Sequence, residues 1–343
     1  MGVDALARAH GAPAMRARLR VSQEDFRVEE VDAFDPSGSG EHLLLTVEKR
    51  GMTTPQAARR IAQWAGVAES AIGYAGLKDR HAVTRQRFSV WIPKKISPDV
   101  ATLQADDLKV LSADWHARKL PRGALSGNRF VLVLRDVEGE RGTIEARLQA
   151  IAARGVPNYF GEQRFGRGGD NVAQAMAMFA GKRVRREERS LLLSAARSQI
   201  FNDLLGQRVA RGDWDRGIEG DVFMLEGSHS VFGPVDIDEA IAARIASFDI
   251  HPTGPMWGRG ALRTQGEAEM LEAGIAQGHA ALCDGLEAAG LKQERRSLRL
   301  PVAGLAWQWR DGDVLSLAFQ LPAGSYATIV LRELGDVVDI QRG

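Results

Sequence analysis

The sequence predicts an α+β protein whose sheet is built from both ends of the chain and interrupted by a more helical middle. Three observations carry this. Strand-like stretches crowd residues 24–137 and return after residue 300. Between them, residues 190–212 and 264–290 have helical spacing. Near the C-terminus, "GLAWQWRDGDVLSLAFQL" places two alternating runs around Asp311-Gly312, a strong hairpin signal. The expected organisation is a first domain begun by residues 1–153, an inserted domain over 154–299, and a return over 300–343 that completes the first domain's sheet.

The elements follow in order. "EDFRVEEV" (24–31) and "HLLLTVEK" (42–49) read as strands with "DPSGSGE" as the loop between them. "TTPQAARRIAQWAG" reads as a helix with Thr54 as N-cap and Pro55 at its first position, Ala57, Ile61 and Trp64 sharing a face. "RQRFSVWI" (85–92) alternates, with Phe88, Val90 and Ile92 on one side, and "NRFVLVLRDV" (128–137) is rich in β-branched residues. "GTIEARLQAIAARG" (142–155) is a helix closed by a glycine. Residues 190–212 form a long amphipathic helix, and residues 213–260 are rich in Gly, Asp and Pro. "PAGSYATIVLREL" (322–334) turns into a final short helix.

Composition narrows the function classes. With 44% hydrophobic and 26% charged residues, the 343-residue chain is of ordinary globular type. No apolar run approaches the length of a membrane span, and "MGVDALARAHGAPAMRARLR" lacks the apolar core of a secretory signal. One cysteine, Cys283, allows no internal disulfide, and the seven histidines show no metal-ligand spacing. These features favour a reducing cytoplasm and chemistry without a metal. Net charge is only +1, yet residues 1–202 hold 32 Lys+Arg against 23 Asp+Glu, or +9, whereas residues 203–287 hold 6 against 15, or −9. A basic part beside an acidic part fits a polyanion binder as well as two solvated surfaces of opposite sign.

The segment with the most chemistry in it is "GYAGLKDRHAVTRQRFSV" (73–90). It sets one carboxylate, Asp79, among Lys78, Arg80 and His81. Nearby cations favour the ionised form of an aspartate, and such a carboxylate can act as a nucleophile or a base. A solvated charged turn has the same composition. The basic stretches are 116–135, with His116, Arg118, Lys119, Arg122, Arg129 and Arg135 and no acidic residue, then "QRFGRGG" with Arg164 and Arg167, and "GKRVRREER". Clusters of this kind bind phosphates. "GRGGDN" lacks the strand–loop–helix setting of a dinucleotide loop.

Six segments, taken in order, carry a resemblance. "AGLKDRHAVTRQ" resembles the catalytic segment of the TruD family of tRNA pseudouridine synthases. "EDFRVEE", "HARKLPRGALSGNRFVLVLRDV" (116–137), "RGVPNYFGEQRFGRGGDN" (154–171), "LLLSAARSQIFN" (191–202) and "LPAGSYATIVLREL" (321–334) resemble further blocks of that family. The resemblance spans almost the whole chain and fades over residues 213–300.

It implies an α+β fold with a mixed, largely antiparallel sheet and flanking helices, a pseudouridine synthase-like catalytic domain carrying an inserted α/β domain. It implies an isomerase that converts uridine to pseudouridine in tRNA, at position 13 if the family's specificity holds. No cofactor, no metal, no membrane and no obligate protein partner is expected. Asp79 is implied as the catalytic carboxylate, which either attacks C1′ or removes the 2′ proton. Arg20, where the family usually has lysine, is expected to pair with Asp79. Lys78 and Arg80 are expected as phosphate contacts or local structure, Lys119 and Arg164 as RNA contacts, and His81 as structural. A uridine within folded tRNA must be extruded, and an extruded base is held by stacking and by hydrogen bonds to its polar edge. The resemblance nominates Phe26, Asn128, Phe130 and Tyr326 for that work, with Tyr326 standing where the family commonly has phenylalanine. Phe26 and Phe130 fit a hydrophobic core equally well. A non-catalytic RNA-binding protein using the same basic cleft is the alternative; the Lys78-Asp79 pair speaks against it.

Overall fold

A computed structural model describes residues 6–310 and 312–341, leaving aside the Arg167 side chain. The first five residues of the N-terminal stretch, Asp311 of the expected hairpin turn and the Arg167 side chain of the basic stretch therefore lie outside the described residues. In chain order the strands and helices are β1 (Arg16–Leu19), β2 (Phe26–Asp32), β3 (His42–Arg50), α1 (Thr54–Ala65), β4 (Ile72–Tyr74), β5 (Val83–Trp91), β6 (Leu108–His116), β7 (Leu125–Glu138), α2 (Arg141–Arg154) and β8 (Val156–Pro157). They continue with α3 (Asp170–Phe179), α4 (Arg186–Arg211), β9 (Phe223–Leu225), β10 (Val231–Phe232), α5 (Glu239–Ala246), β11 (Ile250–Met256), α6 (Gly266–Gly278) and α7 (Ala280–Ala288). The last are β12 (Glu294–Ser297), β13 (Arg299–Leu300), β14 (Ala303–Trp309), β15 (Leu315–Pro322), α8 (Ala327–Leu334) and β16 (Asp336–Asp339).

The chain divides into two compact units. The sheet unit comprises Ala14–Glu145, Val302–Ala327 and Gly335–Gly343. The middle unit comprises Met1–Pro13, Ala146–Pro301 and Thr328–Leu334. Two short pieces of the chain's ends thus pack with its middle, which the sequence boundaries did not anticipate. The reason is local to α8, whose Ile329, Val330, Leu331 and Leu334 are buried and whose Glu333 accepts the backbone N–H groups of Ala9 and His10.

In the sheet unit the strands run in the order β14-β15-β7-β2-β5-β3-β6, with β1, β16 and β4 joined at the side. The β2–β5 and β1–β16 pairings are parallel and the others antiparallel. Register then decides which residues share a face, because opposed residues on neighbouring strands point the same way. Val28 lies opposite Phe130 and Glu30 opposite Asn128; Phe130 in turn faces Phe319, and Asn128 faces Leu321. Val28 also lies opposite Thr84, and Thr84 opposite Lys49. One face therefore carries Lys49, Thr84, Val28, Glu30, Asn128, Phe130 and Phe319. The outer part of that face is covered by α1, whose Ala57, Ala58 and Ile61 pack with Leu45, Val47, Phe88 and Val90. A capping box starts α1, with Thr53 as the N-cap and Gln56 reaching back. The cap is one residue earlier than the sequence predicts, which releases the Thr54 hydroxyl for another task.

The middle unit is organised by α4, which buries Leu192, Ala196, Ile200, Phe201 and Leu205. A four-stranded antiparallel sheet, ordered β10-β9-β11-β12, packs beside it. Much of the acidic excess of residues 203–287 is spent internally. Arg208 holds Asp213 and Asp221, and Arg295 holds Glu272, with all three carboxylates buried. The helical run over 264–290 breaks at His279, between α6 and α7.

Candidate active site

The loop between β4 and β5 carries Lys78, Asp79, Arg80 and His81, and it is tethered on both sides of the aspartate. The Lys78 N–H donates to the Thr54 hydroxyl at 2.9 Å, and that hydroxyl donates to Gln86 Oε1 at 2.8 Å. The Lys78 ammonium donates to Glu30 Oε1 at 2.6 Å, both side chains being more than nine-tenths buried. Glu30 Oε2 accepts the Arg87 N–H at 3.0 Å, and Arg80 Nε donates to the Gly51 carbonyl at 3.3 Å. Lys78 is therefore part of the local structure, while the Asp79 side chain stands out with 48% of its surface exposed.

Arg20 meets this loop from the end of β1. Its backbone is left-handed, φ 58°, an uncommon state for a residue with a side chain. Its guanidinium is buried, with its central carbon 3.8 Å from the centroid of the Phe26 ring. Nη2 donates to Asp79 Oδ2 at 2.8 Å, and Nη1 donates to Asp339 of β16. The Arg20–Asp79 pair expected from the sequence is present. The planar guanidinium does three things at once here, stacking on a ring and holding two carboxylates in different directions, which a lysine ammonium cannot do in the same way.

Beyond Arg20 the shared face is aromatic. The Phe26 and Phe130 rings meet edge to face at 6.3 Å, and Phe130 stacks on Phe319 at 5.5 Å. Both Phe26 and Phe130 are buried, and they serve as core here as well as lining the face. Asn128 is 9% exposed, and its buried Oδ1 has no hydrogen-bond partner among the described residues. Tyr326, just before α8, is 42% exposed. Lys119 is exposed and donates to the Ser70 carbonyl, and His81 is exposed. Arg164 belongs to the middle unit, where it donates to Ser194 Oγ at 2.8 Å. The basic stretch 116–135 is less available than its composition promises. Arg135 is locked bidentate on buried Asp25, Nε on Oδ2 and Nη2 on Oδ1, Arg122 lies over the Tyr74 ring, and His116 is buried against Phe34.

Comparison with known proteins shows the family. The family model described as tRNA pseudouridine synthase D (TruD) matches residues 3–176 and 169–334. The chain belongs to the TruD family. It is similar to the tRNA pseudouridine synthase D of Xanthomonas axonopodis pv. citri, with 57% identity covering 98% of this chain and 96% of the relative. It is also similar to that of Methylococcus capsulatus, with 50% identity covering 97% and 95%. Its fold matches the crystal structure of a putative TruD from Methanosarcina mazei at a TM-score of 0.78 and 21% identity, covering 98% of this chain and 97% of that one. The expected α+β fold with a mixed, largely antiparallel sheet is thus the fold of a TruD protein.

Sequence reasoning missed several groups on this face of the TruD fold, Glu30, Lys49, Thr84, Gln86 and Phe319, and Asp339 of β16, which holds Arg20. Lys49 is the most consequential. It is fully buried, and its ammonium donates to the Met52 carbonyl at 2.5 Å. Burial first, then the Lys78 charge, push it down to about 8, against the pull of Asp79 and Glu30. A lysine lowered on folding costs stability in full below its folded value, and the cost fades as pH climbs from there to the unfolded value of 10.5. Lys49→Met is therefore expected to raise the unfolding free energy by about 2 kcal/mol at neutral pH, with the gain shrinking above pH 8. Urea titration at neutral and alkaline pH measures this; an equal difference at both would show that the ammonium carries no such cost.

Proposed function

We propose that the chain converts uridine to pseudouridine in tRNA, at position 13, and that Asp79 is its catalytic carboxylate. The observation that carries this reading is the Arg20–Asp79 pair, set on a face lined by Phe26, Phe130 and Phe319. Pseudouridine formation breaks the N1–C1′ bond, turns the uracil and rejoins it through C5. One aimed carboxylate serves either route open to it, attack on C1′ or removal of the 2′ proton. The tethers at Lys78 and Arg80 set the loop before substrate arrives, so little ordering is left for binding to supply.

The uracil of an extruded uridine stacks on Tyr326, and the orphaned Asn128 Oδ1 accepts its imide N–H. Phe26 and Phe130 form the wall beneath. Arg20 aims Asp79; Lys78 acts through Glu30 on the loop and not on RNA. Arg80, Lys119 and Arg164 contact phosphates by exchanging their carbonyl and hydroxyl partners for RNA. In this reading the sheet unit serves as the catalytic domain, for which the sequence suggests 1–153 and 300–343, and the middle unit as the inserted one, for which it suggests 154–299; residues 6–13 and 328–334 pack with the latter. A cytoplasmic setting fits this role and the unpaired Cys283 thiol. Binding alone gains nothing from a carboxylate pinned at this spot, which weighs against a purely RNA-binding protein.

The direct test incubates the purified chain with a tRNA transcript carrying uridine 13 and maps pseudouridine by carbodiimide treatment and primer extension. A stop at position 13 is expected; no stop anywhere would sink the reading. Tyr326→Ala is expected to lower turnover about 10-fold or more, and Tyr326→Phe less than about threefold, since stacking survives without the hydroxyl. Equal losses would assign the work to the hydroxyl instead.

A further inference from the structure

The glycine-rich "GRGGDN" stretch is not part of the site above, yet it borders a second concavity lying wholly within the middle unit. The loop over 161–169, the start of α3 and the facing helices α4 and α7 enclose about 640 Å³, a size typical of ligand pockets. Its floor is apolar, formed by Phe165, Val172 and Leu282. Beside it, Gly168 and Gly169 have φ near 70–80°, and a Cβ on Gly169 would meet nothing within 4 Å.

The polar wall is built. Gln199 and Asp203 lie one turn apart on α4 and so face the same way. Gln199 Nε2 donates to both Asp203 oxygens at 2.9 Å, and His279 Nε2 lies 2.6 Å from Asp203 Oδ2. In the tautomer that carries its proton on Nε2, towards the Asp203 carboxylate, Nδ1 is left as an acceptor. Glu162 adds a second acceptor group to the lining. Among the described side chains, the lining holds two carboxylates and an imidazole, and no lysine or arginine. Such a wall of acceptors suits a flat ring with adjacent N–H donors. Of the RNA bases, guanine alone presents two neighbouring donors, N1–H and the 2-amino group, on its pairing edge.

We propose that this cavity binds one unstacked guanine of the tRNA substrate, its ring against Phe165 and its donor edge on Glu162 and His279. The inference rests on the tRNA-modifying function proposed above. In this arrangement Asp203 and Gln199 are positioning residues that orient the imidazole. The cavity contributes to capture of the RNA and takes no part in the chemical step, so its loss raises KM and spares kcat.

Ligand-observed NMR on the full chain with guanosine and with adenosine tests the cavity directly. Guanosine is expected to bind in the millimolar range, about fivefold or more tighter than adenosine. Glu162→Gln and His279→Ala are each expected to weaken guanosine binding about fivefold and to raise the tRNA KM about three- to tenfold, with kcat within about twofold. Both positions border the cavity at partly or fully exposed sites, so folding is expected to survive, with circular dichroism as the check. No guanosine binding by the wild-type chain would overturn the proposal. Variants that lose guanosine yet keep the tRNA KM would also overturn it, by making the ligand a free nucleoside. If the wild-type chain forms no pseudouridine, the functional reading fails separately, and the guanosine titration still reports on the cavity.

Discussion

Asp79→Asn is expected to abolish pseudouridine formation, by on the order of 10⁴-fold or more, while tRNA affinity stays within about twofold. The amide has nearly the same shape, and its oxygen can still accept from Arg20 Nη2, so the loop keeps its tethers at Lys78 and Arg80. What disappears is the negative oxygen that attacks carbon or takes a proton. Carbodiimide-primer extension on uridine-13 tRNA, together with filter binding, separates the two effects. Turnover retained in this variant would remove Asp79 from the chemistry and return its loop to the status of a charged turn.

The second large effect concerns Arg20. Substituting Arg20→Met leaves two carboxylates without their shared cation and leaves the Phe26 ring without its stacked guanidinium. Removing one partner of a buried ion pair typically costs about 3–5 kcal/mol. Asp79 is 48% exposed and Asp339 15%, so water recovers part of the loss and about 2 kcal/mol is expected. Activity is expected to fall about 100-fold because Asp79 loses its aim, and Arg20→Lys is expected to recover part of both losses. Urea titration and single-turnover assays at saturating tRNA measure them. A stable, fully active Arg20→Met chain would show that Asp79 needs no such partner.

The legible part of this site is the part written as charge and as long, regular runs. Asp79 stands out among cations, and Arg20 precedes the "EDF" segment that resembles the family. Strand β7 and helix α4 follow from their apolar spacing. Glu29 and Glu30 show why the rest was hidden. They are identical neighbours, yet the pleat turns one outward, 31% exposed, and the other inward, 3% exposed, onto Lys78. Only register tells them apart, and register depends on partners more than 90 residues away on β7. Lys49 is concealed likewise, at the end of an apolar strand where a terminal lysine ordinarily reaches solvent. Edge strand β6 was missed because most of its side chains are exposed and its apolar alternation is weak. Helix α3 was missed because the glycines before Asp170 give it no side-chain cap. Asp339 lies 319 positions from the arginine it holds, and no local pattern reaches that far.

That last separation bears on how an active molecule comes into being. The guanidinium of Arg20 waits for one anion 59 positions downstream and for another 319 positions downstream. Asp79 is made early in synthesis, whereas Asp339 is available only once β16 has been made and laid parallel to β1. The arginine that aims Asp79 thus takes its second anchor through the pairing of the first and last strands of the sheet unit, so that hold forms only when these two distant stretches meet.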